Sequence, residues 1–530
     1  PGFSFTAGSG TIFEVEMATD NNDADNQTLA LNNNVKVQTL KDPVTTDGTL
    51  LENAAKDEMI SYMDGIGRAL QRIAIKASPN QKDIVQAFVY DNSGLESVQY
   101  LPYVSQSSDG SYQFNALSDQ ATFYITNSDK IANDNSPYAV TKYEASPLNR
   151  VKVQGMIGDA WQPGTGNTMT PTFRINTSSD GVMKWNTSGP NGNYLANKLV
   201  VNEIEDEEGV KSIVFKDKLG RVVLKKQQLD EVIDGSTVNY LETYYVYDDL
   251  GRLKFQVPPA AVAKIKAGST WNATFISTWI YSYIYDKYNR LIELTKPGAD
   301  PQYIVYDEMD RPLLFQDGNM RNSNKWMFLK YDEKHRPVIS GFHTNSQYTS
   351  RTAMQDHVNT LNYDLATVTH FETKNGTSST HGYTNNLFPN TSTEVATVNY
   401  FDNYDFNNNG IADYAYLNQG LTGEHTPYLY LQGMATGSKR RVMGTNKWVL
   451  DVAFVNKRGQ MIQRRSNNHL TAAEGVLMGF ALEDTETNVY EFDGSLLMNK
   501  TSQKVAGVTT TLQNNLTYDQ GGRLKTIGQK

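Results

Sequence analysis

The sequence predicts a mainly β fold of tandem strand–turn–strand units with few short helices, on three observations. A six-residue phrase recurs as Tyr247-Asp248-Asp249-Leu250-Gly251-Arg252, Tyr285-Asp286-Lys287-Tyr288-Asn289-Arg290, Tyr306-Asp307-Glu308-Met309-Asp310-Arg311 and Tyr331-Asp332-Glu333-Lys334-His335-Arg336. Runs that alternate apolar and polar residues flank it, among them Thr243–Val246, Trp279–Ile284 and Trp326–Lys330 on one side and Leu253–Val257 and Leu313–Phe315 on the other. A period of two marks half-buried strands, and two such runs around a short turn make a hairpin. The third observation is 31 Tyr among 530 residues, large rings with a polar tip that suit strand faces meeting both core and water.

Along the chain, Pro1–Met17 alternates at Phe3/Phe5 and Phe13/Val15/Met17 and predicts one hairpin, while Thr19–Asn33 reads as an Asn/Asp-rich linker. Strands resume at Val35 and Val37; Asn53–Met59 reads as a short helix ahead of a strand from Ile60. Ser105–Gly110 and Gly164–Gly189 are loop-rich, and Lys198–Lys226 supplies two strands. Ala260–Ser269 predicts a helical turn after Pro258-Pro259. Thr352–Leu361 predicts a helix, with Ala353, Met354, His357, Val358 and Leu361 on one face. Thr373–Thr393 reads as a long polar loop, and Trp448–Lys530 returns to strands.

The phrase has a physical logic. An Asp closing a strand accepts hydrogen bonds from the backbone N–H groups of the turn it opens. Gly251, Asn289 and Asp310 stand where a positive φ is required, with His335 the weakest fit. The Arg re-enters the next strand, within reach of a neighbouring Tyr ring or carboxylate. Such a period is read as architecture before chemistry. Altered copies widen the array. Met63–Arg68, Tyr90–Leu95, Lys216–Arg221, Val455–Gln460 and Phe492-Asp493-Gly494 each lose part of the phrase, and Tyr518–Arg523 nearly completes it.

These residues resemble the YD (tyrosine–aspartate) repeats of bacterial RHS proteins, and the copies run from near residue 63 to the end of the sequence. The first two hundred residues resemble the domain that precedes the repeats in one secreted group of these proteins. Ser61–Gln71, Ser78–Ala87, Leu101–Tyr124, Ser146–Val151 and Gly158–Pro163 carry that likeness. The expected organisation is a terminal hairpin and linker at 1–33, an RHS-associated β domain at 34–200, and a repeat segment at 201–530 that is incomplete at its C-terminal end. The resemblance implies units coiling into a large β-sheet shell that encloses or presents the protein's own C-terminal effector, often a toxin. It also implies a secreted or cell-surface location, often reached through type IX machinery. The family's self-cleavage residues have no counterpart here to carry over.

Bulk composition limits other functions. At 530 residues the chain exceeds the roughly 250–300 over which one core grows, a limit that stacked repeats escape. Its 58 acidic and 48 basic residues give −10, with no basic patch interleaved with aromatics, so nucleic-acid binding is not predicted. Cysteine is absent, which removes disulfides and thiolate metal sites. No apolar run approaches the roughly 20 residues that span a bilayer as a helix.

Asp405, Asn407, Asn409 and Asp413 place oxygens at positions 1, 3, 5 and 9, with Gly410 at 6, as at the start of a calcium loop. Position 12 is Tyr416 rather than the closing Glu, so an Asn-rich turn fits as well, and calcium is the ion implied if one binds. Gly433–Lys439 lacks phosphate-loop spacing and reads as a turn. The seven His show no zinc-helix spacing, and Glu203–Glu208 reads as a solvated charge run. No catalytic residue and no organic cofactor are predicted. The expected function is a non-enzymatic scaffold, with a cell-surface adhesin or glycan-binding protein as the alternative.

Overall fold

A computed structural model of the chain describes residues 3–7, 11–16, 33–40, 56–126, 134–233, 236–361, 370–376, 381–470, 472–474, 479–505, 507–519 and 521–530. The fold is mainly β. A ten-stranded sheet runs from Phe3–Ala7 to Val151–Gly155, and a 21-stranded sheet from Thr170–Ile175 to Leu524–Gln529. Strands pair antiparallel and, for the most part, in chain order, so the array is a meander that stays open rather than closing into a barrel. An isolated bridge between Gln154 and Met169 joins the two sheets.

The predicted hairpin at the start is present as Phe3–Ala7 paired with Thr11–Glu16. Residues 19–32 of the predicted linker lie outside the described residues. Of the helix expected at Asn53–Met59, residues 53–55 lie outside the described residues and 56–59 are instead part of a strand, Lys56–Met63, paired with Asn34–Leu40 on one side and Ala69–Ala74 on the other. Exposure alternates back to Asp57, and pairing on both edges overrides the helical preference of its charged residues. Helices occupy Pro259–Lys266 and Arg351–Thr360 as predicted, and also Ala116–Ile125, Ala273–Trp279 and Gly318–Asn322. Asn272, Asp317 and Ser350 cap three of them by accepting from Phe275, Met320 and Ala353 N–H groups.

A single sheet has no opposite layer, so insertions between repeats provide it. The helices at 259–266 and 273–279 bury Ala261, Val262 and Phe275 against Phe215, Tyr244, Val246 and Val257. The helix at 351–360 brings Met354 and Val358 onto Val305, Trp326 and Phe328, and residues 403–430 add Tyr404 and Phe406 to the same core. Phe406 stacks on Tyr400 at 4.3 Å and 12°. A fully buried ring of this size is worth roughly 2–3 kcal/mol. The described part of the polar loop at 373–393 is pinned by Glu372, which accepts from Lys330 Nζ at 3.0 Å and from the Leu387 N–H at 3.0 Å. The N-terminal unit has its own core around Tyr62, Ile73, Val85, Tyr103 and Tyr124.

Candidate functional site: braced turns and the seam of the coil

Each full copy of the phrase folds the same way. Asp248 Oδ1 accepts from the N–H groups of Leu250 (3.0 Å) and Arg252 (2.9 Å), and Oδ2 accepts from Arg252 Nε (2.8 Å). The main chain closes through Asp248 N–H to Arg252 O and Gly251 N–H to Asp248 O. Asp64, Asp217, Asp286, Asp307 and Asp332 repeat these three side-chain bonds. The fifth position is left-handed, with φ of 79° at Gly251, 64° at Asn289, 59° at Asp310 and 59° at His335. The pairing shifts by one residue beside it, which is a β-bulge. Burial opposes ionisation of Asp248 and Asp286, but the N–H donors and the guanidinium outweigh it and hold both carboxyls below their ordinary range.

The copies are also tied to one another. Arg252 lies over the Tyr285 ring at 5.1 Å, Arg290 over Tyr306 at 4.6 Å and Arg311 over Tyr331 at 4.6 Å. In return, the hydroxyls of Tyr285, Tyr306 and Tyr331 donate to the carbonyls of Leu253, Leu291 and Pro312, each the residue after the preceding Arg. Burial pushes the Tyr331 phenol up to about 12, so it stays a donor. The turns at 248–252, 286–290 and 307–311 are thus each clipped to the next by a ring, a guanidinium and one hydroxyl bond.

The geometry adds copies that the spelling hides. The charge run at Glu203–Glu208 contains one: Asp206 accepts from Glu208 and Val210 N–H groups around Gly209, φ 82°. Glu144 and Arg150 close a longer version, with Arg150 over Phe173. Phe401-Asp402 is a copy whose turn has expanded into residues 403–430. Arg336 covers the Phe401 ring at 4.3 Å and grips Asp402 with two bonds. The fragment read at Phe492-Asp493 starts two residues too late: the phrase begins at Tyr490, the closing pair is Glu491 and Ser495, and because Glu is one methylene too long, Asp493 caps Ser495 instead. At Asn456 an amide pair replaces the ion pair, Asn456 Nδ2 donating to Gln460 Oε1 at 2.9 Å.

The four residues of the calcium-like loop are drawn together by backbone donors. Asp405 accepts from Asn409 and Gly410 N–H groups, Asn407 Oδ1 from Asn409 N–H, and Asn409 Oδ1 from Ile411 N–H. Asp413 accepts from Phe406 N–H and from Asn407 Nδ2. Burial raises the Asp413 carboxyl, and Lys374 Nζ sits 3.2 Å from Asp405 O. Among the described residues, no cluster of three His, Asp or Glu could hold a metal. His335 accompanies Arg311, whereas His343 is buried beside Thr391 O, so the two do not converge. Gly433–Lys439 is no turn but part of the strand Leu431–Arg441. Lys439 there lies between Trp448 and Phe480, and burial pushes its ammonium down to about 8.

A seam, unforeseen in the sequence, brings the late repeats back onto the N-terminal unit. Arg458 Nη2 donates to Ala77 O at 2.6 Å, across 381 positions, and Arg523 Nη2 to Ile157 O at 2.9 Å, across 366. Arg523 also covers the Trp161 ring at 4.4 Å, and Phe123 meets Phe492 edge-on at 5.5 Å. Beside the Arg458–Ala77 tie lies a cleft of about 450 Å³, lined by residues 77–81, 423–428, 456–458, 460 and 491.

A family model described as a domain of unknown function (DUF6443) matches residues 36–175, inside the segment that the sequence set apart ahead of the repeats. No curated protein matches the chain. Among solved structures, the crystal structure of TcdB2-TccC3-Cdc42 is similar over 94% of this chain and 22% of that one, at 12% identity and a TM-score of 0.45. Those of TcdB2-TccC3-TEV and of TcdB2-TccC3 without its hypervariable C-terminal region are similar over 94% of this chain and 26% of theirs, at 13% identity and TM-scores of 0.38 and 0.39. The chain thus spans about a quarter of the length of these structures.

Proposed function

We propose that this chain is a wall segment of an RHS-like β-shell, a non-enzymatic scaffold that encloses or presents a C-terminal effector of its own polypeptide, as in toxin delivery. The supporting observation is that the Arg–Asp turns at 248–252, 286–290 and 307–311 are each clipped to the ring of the next while the late repeats return to the N-terminal unit. The result is a stiff sheet that bends round on itself. A barrier needs this, whereas an adhesin needs side chains presented outward. The repeated carboxylates of the phrase spend their acceptor capacity on their own turns, which favours masonry over acid–base chemistry. Residues 36–175 form the cap end of this segment. Export to the cell surface or medium, by the type IX route, follows from the RHS resemblance.

The test is electron microscopy of the natural, full-length polypeptide that carries this sequence. A hollow β-walled body with density inside is the expected result. An extended or solid particle, or saturable glycan binding through exposed rings, refutes the reading.

A further inference from the structure

The seam is built from two arginines of the late repeats, Arg458 and Arg523. In the full copies the fourth position of the phrase faces solvent, but in the altered copy it is Arg458, whose guanidinium bonds Phe492 O with one nitrogen and Ala77 O with another. The Asn456–Gln460 pair closes that turn without charge, so loss of the usual Asp and Arg leaves the turn intact and Arg458 as its reaching cation. Arg523 keeps its bond to Asp519 at 2.6 Å and uses its remaining face and edge on Trp161 and Ile157. Trp161 takes the place that the next Tyr ring holds elsewhere in the array.

The N-terminal unit buries its own core and meets the late repeats across a cleft lined by polar groups such as Asn80, Gln81, Glu424, Asn456, Gln460 and Glu491. An interface spanned by the Arg458 and Arg523 bonds to carbonyls, the Arg523–Trp161 stack and the Phe123–Phe492 edge contact separates at lower cost than either body unfolds. The covalent connection runs through Gly164 and Gly166, at φ of 115° and 94° with open space around both, and the Gln154–Met169 bridge holds its two ends together as the root of a hinge. We propose that the N-terminal unit is a latch: it opens as a body about the Gly164–Gly166 connection, releasing Arg458 and Arg523 while both sheets stay folded. The inference rests on the seam alone and is independent of what the coil encloses.

Hydrogen exchange on the whole chain tests it. Arg458→Ala combined with Arg523→Ala should speed exchange in peptides covering 77–81 and 157–161 by on the order of ten- to a hundredfold, the loss of two charged hydrogen-bond donors. Peptides across 281–336 should keep the wild-type rate. Arg458→Lys, which reaches one carbonyl but does not bridge two, should fall between. If the alanine pair does not fold, the wild type in mild denaturant serves instead: the seam peptides should exchange before those of 281–336. Unchanged seam rates in the variant, or seam and repeat peptides opening together in either experiment, overturn the latch.

Discussion

The braced turn makes a sharp prediction at Asp286 and Arg290. Both side chains are under a fifth exposed, at 15% and 19%, and joined at 2.7 Å. Asp286→Asn keeps the Oδ1 acceptor for Tyr288 and Arg290 N–H groups but sets an NH₂ against Arg290 Nε, donor against donor. The lost charge-assisted bond costs about 1–2 kcal/mol at this exposure. Arg290→Gln alone loses that bond and the stack on Tyr306, for a similar ~1–2 kcal/mol. Its contact with Asp310, which is 74% exposed, adds little. Together, however, the two substitutions recreate the amide pair that Asn456 and Gln460 already use. The double variant should therefore cost about 1–2 kcal/mol rather than the ~2–4 of the sum, a coupling of about 1–2 kcal/mol. Because a chain of this size need not unfold in one step, the readout is exchange in the peptide covering 285–291, where the coupling appears as roughly a tenfold slower opening than additivity gives. Additive singles would refute the claim that the phrase works through this local pairing.

Other consequences follow from the same geometry. Gly437→Ala would place a methyl 2.6 Å from the Phe406 ring and 3.2 Å from Asp451 O, so it should unseat the 403–430 insertion at a cost of about 2 kcal/mol or more. Easier proteolysis of that insertion, with the repeat strands spared, would register it. Arg174 holds the Asp180 carboxyl near 2 from an ordinary 3.8 by hydrogen bonding to it. Its folded value being the lower one, the contribution is full above about pH 4 and fades as pH falls towards 2; Arg174→Ala should move the Asp180 titration, followed by NMR, back up towards 3.8. Calcium titration should leave exchange at Asn409 and Gly410 unchanged, since Asp405 already binds both N–H groups; calcium-dependent protection there would establish the loop as an ion site.

The hairpin array was legible because one carboxylate, one left-handed residue and one arginine at fixed spacing determine a turn by local bonds alone. His335 shows the strength of this constraint, since a residue poorly suited to positive φ adopts 59° where its neighbours in the phrase demand it. The hidden copies were illegible because geometry tolerates more than spelling does. Asp206 lacks the Tyr and Arg, Glu144 needs two extra residues, and Phe401-Asp402 has its turn replaced by 28 residues, 403–430. The Gly433–Lys439 segment deceived for the opposite reason, since it lies inside a strand and Gly437 marks close packing there under Phe406. The seam left no local trace at all, since Arg458 and Ala77 become neighbours only after the whole sheet has turned.

The divergent copies argue against simple decay of the repeat. Where the phrase is complete, its carboxylate is spent within the turn and its guanidinium on that carboxylate and the next ring, and the turns are uniform. Where it departs, the freed group is re-used: Asp402 receives Arg336 and the Gly433 N–H at the root of an insertion, and Arg458 reaches Ala77. Regular copies give stiffness, and altered ones decide where the sheet is covered and where its ends meet. Restoring the phrase at the altered turn, by Asn456→Asp with Gln460→Arg, tests this division. It should preserve or strengthen the local turn and place a second guanidinium beside Arg458, close to Gly494 O where Gln460 Nε2 now donates at 3.4 Å. Protection should then rise in the peptide covering 455–461 and fall at 77–81. If both rise together, the altered copy is a weakened brace and nothing more.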